Sequence, residues 1–295
     1  MNAYLNWLKE QGFSDHTTRR YVTVCNQFIE WFEIKYNHIF SPNLVTAADL
    51  QEWKTFLLNT RQKNGKKYAI STVNNNIESI KSYFRFLHEK HLIPENPSLN
   101  LKKQAIQQSR DPKWLDQREE ATLRFYIDHK NLWKGWQYHR NRAIIYTMLF
   151  AGLRISEVSD LEVDDLSNGF IHIRNGKGKK ARKVYMNKTL ASIMEEWLES
   201  RKTIDTNSSF LFISQKGGQL TESGIEKIFD RLRKKTGLEE LTAHVLRHTC
   251  GHNLILKGST LNEVADILGH NKLDTTRLYT HSSIEEQKKA LDKLE

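Results

Sequence analysis

Cysteine is nearly absent from this chain: its 295 residues hold only Cys25 and Cys250, far apart and in no CxxC arrangement. That excludes a disulfide framework and a cysteine-rich zinc site, and it fits a reducing, cytoplasmic setting. Proline is almost as scarce. All four lie in the first 112 residues, and Pro94, Pro97 and Pro112 fall close together. No apolar run is long enough to cross a bilayer, and the longest, around 143–153, is interrupted by Thr147. The opening MNAYLNWLKEQGF lacks a basic stretch followed by an apolar one, so no secretory signal and no membrane attachment are expected. Internal repeats and low-complexity tracts are missing as well.

Acidic residues are in deficit. Forty-five Lys and Arg against 35 Asp and Glu leave a formal charge of +10. Such an excess favours a polyanionic partner, since each phosphate neutralised releases condensed counterions. The 38% apolar and 10% aromatic content is enough for packed cores, and the length suits two domains. The proline cluster brackets the polar stretch SLNLKKQAIQQSRD, which reads as a linker. The expected division is residues 1–100, a linker over 101–112, and residues 113–295.

The first domain reads as helical. Ser14 can cap a helix carrying Tyr21, Val24, Phe28, Trp31 and Phe32 at helical spacing. A second helix runs from Thr46 or Ala47 through Leu50, Trp53, Leu57 and Leu58, and a third from Ser71 through Val73, Ile77, Ile80, Phe84 and Leu87. The second domain opens on a cap at Asp116 and continues in helices, of which Arg140–Phe150 is the most apolar. A β region interrupts them: residues 170–174 alternate, Asn175-Gly176 begins a turn, and Arg182–Met186 returns. Helices resume over Glu222–Arg233, His244–Leu256 and Thr260–Leu268, the last ending at Gly269. A short final helix is expected after Ser283, where Ser283 and Glu286 have capping-box spacing.

Four fragments carry the chemistry: AGLRISEVSDL (151–161), NGKGKK (175–180), HVLRH (244–248) and LGHNKLDTTRLY (268–279). Breaking a phosphodiester without a metal requires stabilising charge on the non-bridging oxygens, aligning a nucleophile and protonating the leaving oxygen. An arginine fork donates two hydrogen bonds to phosphate and stays charged, so Arg154 and Arg247 can clamp one phosphate. His244 can complete that clamp. Tyr279 would supply the nucleophile, its pKa lowered by neighbouring positive charge, and Lys177 would protonate the leaving 5′ oxygen. Each has a plainer explanation: a solvated helix face, an exposed basic turn, a core tyrosine. The stretch from Leu261 to Tyr279 also fits a DNA-reading helix-turn-helix.

In order and spacing these fragments resemble the tyrosine recombinase (phage integrase) family. That family has an arginine in a T/A-G-L-R-x-S-E-L segment, a lysine on a β-hairpin, an H-x-L-R-H box, and L-G-H followed nine residues later by a tyrosine. Here His270 and Tyr279 are nine apart, and His244 and Arg247 three apart. The resemblance also covers the N-terminal part, through Ser14, Thr17, Tyr21, Phe28 and Trp31, then the segment 71–87, then Asn96-Pro97. It implies a mainly α fold: an N-terminal helical bundle of the SAM-like core-binding type, whose first helix starts at Ser14, and a C-terminal mixed catalytic domain with a small antiparallel hairpin.

The resemblance further implies a site-specific DNA recombinase working through a 3′-phosphotyrosyl intermediate without metal, ATP or other cofactor. Carried over by position, Arg154 and Arg247 are the phosphate-binding arginines, Lys177 the general acid, His244 and His270 the active-site histidines and Tyr279 the nucleophile. Lys179 or Lys180 can replace Lys177 on a flexible hairpin. Glu157 matches an acidic position that orients an active-site partner, although a surface ion pair with Arg154 explains it equally well. Arg19, Lys81 and Arg85 in the first domain, and Lys179, Lys180 and Arg182 in the second, are candidate DNA contacts. The expected partner is double-stranded DNA at a recombination site, bound by a dimer per site and a tetramer on two sites, with residues 283–294 either an exchanged arm or a helix folded back on its own domain. A nucleoid-associated location follows from that. A type IB topoisomerase and a non-catalytic DNA-binding regulator are the alternatives from further away.

Overall fold

A computed structural model of the chain describes residues 1–61, 65, 67–105, 113–129, 132–174 and 181–269. It divides into two compact units, Met1–Ser109 and Arg110–Glu295. The first is built from helices α1 (Asn2–Glu10), α2 (Asp15–Tyr36), α3 (Ala47–Asn59) and α4 (Ile70–Glu89). Local hydrogen bonds set where two of them begin. The Ser14 hydroxyl accepts from the Thr17 amide at 3.3 Å. At α3, Thr46 Oγ1 accepts from the Asp49 amide at 3.3 Å while Asp49 Oδ2 accepts from the Thr46 amide at 2.9 Å, satisfying two orphan donors reciprocally.

The expectation that the Ser14 helix comes first is corrected here: α1 precedes it and buries Tyr4, Trp7 and Leu8 in the same core. Rings dominate that core. Phe28 meets Trp53 and Phe84 edge-on at centroid distances of 5.3 and 6.0 Å, the arrangement favoured by aromatic quadrupoles. Residues 101–105, read above as the start of the linker, lie against α4. Leu101 is buried, and Asn74 exchanges two hydrogen bonds with the Gln104 backbone at 2.8 and 2.9 Å.

The second unit contains α5 (Gln117–Asp128), α6 (Trp136–Ala151), α7 (Ile155–Asp160), strands β1 (Leu166–Ser167), β2 (Phe170–Ile173) and β3 (Arg182–Tyr185), then α8 (Lys188–Lys202), α9 (Glu222–Thr236), α10 (Ala243–Leu256) and α11 (Leu261–Leu268). Asp116 and Glu119 form the capping box of α5. Helix α6 has no exposed residue and runs through the core, packed by α8 and α10. Helix α8 was not among the expected elements. Its signal is present nonetheless: Asn187 caps it, and Leu190, Ile193, Met194 and Trp197 recur at helical spacing on the buried side.

The three strands form one antiparallel sheet in the order β1-β2-β3, so β1 extends the expected hairpin. In β2–β3, Ile171 faces Val184 and Ile173 faces Arg182. Directly opposed residues share a sheet face, so Arg182 stands on the inward side with Ile171, Ile173 and Val184. The turn at Asn175-Gly176 and the helix after Ser283 lie outside the described residues. No helix among those described is long and apolar enough to cross a membrane.

Candidate active site

The end of α11 organises the site. An α-helix leaves its last carbonyls without intrahelical partners and carries partial negative charge there. Three arginines from three different elements satisfy them in succession. Arg182 Nε donates to the Ile267 carbonyl at 3.1 Å, Arg247 Nη2 to the Leu268 carbonyl at 2.6 Å, and Arg154 Nη2 to the Gly269 carbonyl at 2.9 Å. Arg154 precedes α7, Arg182 opens β3, and Arg247 projects from α10.

A second layer of contacts fixes the arginines. Arg247 is buried, and its Nη1 donates to the Gly152 carbonyl at 2.6 Å, which ties α10 to the end of α6. Gly152 has φ +63°, and a Cβ there would come within 2.3 Å of the Leu268 side chain. Glycine alone permits both the turn out of α6 and the approach of α11. Glu157 accepts from Arg154 Nη1 at 2.8 Å and from the Arg154 backbone amide at 2.8 Å. It also receives a fork from Arg182, Nη1 at 2.7 Å and Nη2 at 2.8 Å.

The ion pair of Arg154 with Glu157 is therefore not a surface feature. The Glu157 side chain is 3% exposed. Burial by itself pushes its carboxyl pKa up, but hydrogen bonds and charge from Arg182, then from Arg154, outweigh this and bring it down to about 2. The carboxylate is charged at any physiological pH. His244 stands at the start of α10 with its imidazole pKa held below the usual value, by desolvation first and then by Arg247 and Arg154. It is consequently a neutral donor or acceptor near pH 7 rather than a third cation. His248, one turn on, has its ring 4.3 Å from that of His244 and its pKa lowered to about 4, again mainly by desolvation.

Arg154, Glu157, His244 and Arg247 are thus brought to one place. Lys177, Lys179, Lys180, His270 and Tyr279 lie outside the described residues. Arg19 and Arg85 are exposed on α2 and α4, while Lys81 is half-buried and its Nζ donates to the Leu101 carbonyl at 3.4 Å. Arg182, read above as a DNA contact, is instead turned inward, with a side chain 11% exposed. Its strand parity was the available signal, since it is two residues from buried Val184. His248 was passed over, although it lies one helical turn from His244. Among the described residues no group of three or more His, Cys, Asp or Glu side chains is placed to hold a metal ion.

Comparison with known proteins decides the family. The phage integrase family profile matches residues 113–286, more than half of the chain, and that of the phage integrase N-terminal SAM-like domain matches residues 1–93. The chain belongs to the phage integrase family of tyrosine recombinases. Tyrosine recombinase XerC of Herpetosiphon aurantiacus is 30% identical over 285 residues, covering 95% of this chain and 89% of the relative. TnP I resolvase of Bacillus thuringiensis is 29% identical, covering 94% and 93%. A crystal structure of XerH site-specific recombinase bound to difH substrate, in a pre-cleavage complex, superposes with a TM-score of 0.71 at 27% identity. It covers 94% of this chain and 79% of that one. The recombinase is accordingly an enzyme of site-specific DNA recombination. Its helical N-terminal part and its mainly α catalytic part with a small antiparallel sheet are those the sequence motifs imply.

Proposed function

We propose that the recombinase exchanges DNA strands through Tyr279. The Tyr279 oxygen attacks the scissile phosphorus, a 3′-phosphotyrosyl bond forms, and the bond to the 5′ oxygen breaks. Lys177 gives that oxygen its proton. Arg154 and Arg247 hold the non-bridging oxygens as charge builds on them, and His244 and His270 hydrogen-bond to the same phosphate. A 5′ hydroxyl from the partner duplex then attacks the phosphotyrosine and frees the tyrosine. Bond energy is kept in the ester, so the cycle has no step for ATP.

The observation that carries this reading is the convergence of Arg154, Arg182 and Arg247 on the last carbonyls of α11. From that end the sequence runs straight into His270 and, nine residues on, Tyr279. A nucleophile tethered there starts from the phosphate clamp. Residues 1–100 bind duplex DNA with Arg19, Lys81 and Arg85 toward it, residues 101–112 link, and residues 113–295 cleave, with Lys179 and Lys180 as added contacts. Two copies occupy each site and four complete the exchange, joined through residues 283–294, on DNA in the cytoplasm.

A suicide duplex, nicked beside the scissile phosphate of a site mapped by footprinting the DNA that flanks the gene, traps the covalent adduct. Wild-type protein is expected to form it, and Tyr279→Phe to bind the same duplex without forming it. An adduct on Tyr279→Phe sinks the assignment of the nucleophile. Relaxation of a supercoiled plasmid lacking the site would instead favour topoisomerase-like chemistry.

A further inference from the structure

We propose that Arg182 is a positioning residue of the recombination site, one that pins the start of β3 and the end of α11 to Glu157 and thereby sets Arg154 for its phosphate. This rests on the reading of Arg154 and Tyr279 given above.

Every nitrogen of Arg182 is engaged inside the protein. Both terminal nitrogens donate to the two oxygens of one buried carboxylate. The third nitrogen holds the Ile267 carbonyl. Lysine, a single point of charge, cannot make that set of three bonds. The chain closes over the guanidinium: at Gly269, with φ +66°, a Cβ would come within 2.9–3.0 Å of Arg182.

Position in the sequence gives these bonds a consequence. Arg182 follows Lys177 by five residues, and Gly269 immediately precedes His270. One side chain therefore touches the base of the hairpin that carries the general acid and the base of the segment that carries the nucleophile. It also governs Arg154. Glu157 divides its charge between two guanidiniums, so Arg154 is held through one terminal nitrogen while the other holds Gly269. Without Arg182 the buried carboxylate turns to Arg154 for neutralisation, and Arg154 is drawn from the phosphate toward it.

The test compares wild type, Arg182→Ala and Arg182→Lys on the suicide duplex in single turnover, with rates expressed per active enzyme and with DNA affinity measured across a salt series. Misplacing a catalytic group by about 1 Å costs on the order of 100-fold, and a loss of that size is expected for Arg182→Ala at saturating DNA. Half-saturation and the salt slope should stay at the wild-type values. Arg182→Lys keeps the charge but not the fork, and a loss of roughly 10-fold is expected. A residue that only stabilised the fold would reduce the active fraction and leave the rate per active enzyme unchanged.

The proposal is overturned by a wild-type saturated rate in Arg182→Ala. It is equally overturned by a deficit confined to affinity with a salt slope lower by about one, the signature of a lost phosphate contact. Should Arg182→Ala fail to fold, a wild-type rate in Arg182→Lys overturns it. Tyr279→Phe, run alongside, separates the two claims. An adduct on that variant removes the functional reading, whereas no adduct there and full speed in the Arg182 variants removes this inference alone.

Discussion

The two units bury different things. Among the described residues of the first unit, Asp49 is the one buried charged side chain, set in a core of Tyr4, Trp7, Phe28, Phe32, Trp53, Phe84 and Phe86. The second unit buries Arg140, Glu157, Asp165 and Arg247 in a core that is largely aliphatic. Burying a charge is costly unless it is paired and hydrogen-bonded. Asp49 meets that condition as the N3 carboxylate of α3 and by accepting from the Tyr36 hydroxyl of α2, 13 residues away. Glu157 is likewise the N3 carboxylate of α7, but it also takes a fork from Arg182, 25 residues on, and Arg247 depends on the Gly152 and Leu268 carbonyls, 95 and 21 residues away. The first unit is held mainly by rings, whereas the second, which holds arginines at fixed positions, carries a polar network through its interior.

Three measurements would break or sharpen this contrast. The largest effect belongs to Arg247→Ala, which leaves two buried carbonyls without donors at about 2 kcal/mol each, so about 4 kcal/mol of stability should be lost in urea melts. A loss below about 1 kcal/mol would mean that Arg247 is not a structural tie. The second concerns acid. Glu157 has a folded pKa of about 2 against an ordinary 4.5, so its contribution of about 3 kcal/mol is complete above pH 4.5 and fades as pH falls toward 2. Melts of wild type and Glu157→Gln over pH 7 to 3 should therefore converge with acidification, and parallel curves would refute the linkage. The smallest is in the first unit, where Thr46→Ala should cost about 1 kcal/mol through the lost cap. Cleavage by that variant at saturating DNA should match wild type; a slowed reaction would show that the first unit's local structure reaches the chemistry.

Legibility followed the range of the interactions. Ser14, Thr46 and Asp116 announce their helices because a cap bonds to an amide three residues away. The motifs around Arg154, His244, Arg247, His270 and Tyr279 name the family because their types and spacings are specific. Helix α8 was legible but passed over. Arg182 sits beside the hairpin lysines in one basic run, but its parity with buried Val184 sets it on the inward face, which composition alone does not show.

The sequence by itself determined which chemistry this protein performs, since residue types in a fixed order suffice to identify a recombinase, and it determined where most helices start. Only the tertiary structure decided which arginines face inward and what they hold. Arg154, Arg182 and Arg247 belong to segments far apart in the chain, and they meet at one helix end because α10 and β3 pack against α11 and the turn at Gly152 approaches Leu268. No local pattern records that a carbonyl at position 267 or 268 will need a donor from position 182 or 247. The need exists only once α11 ends inside the fold, where water cannot supply the hydrogen bond.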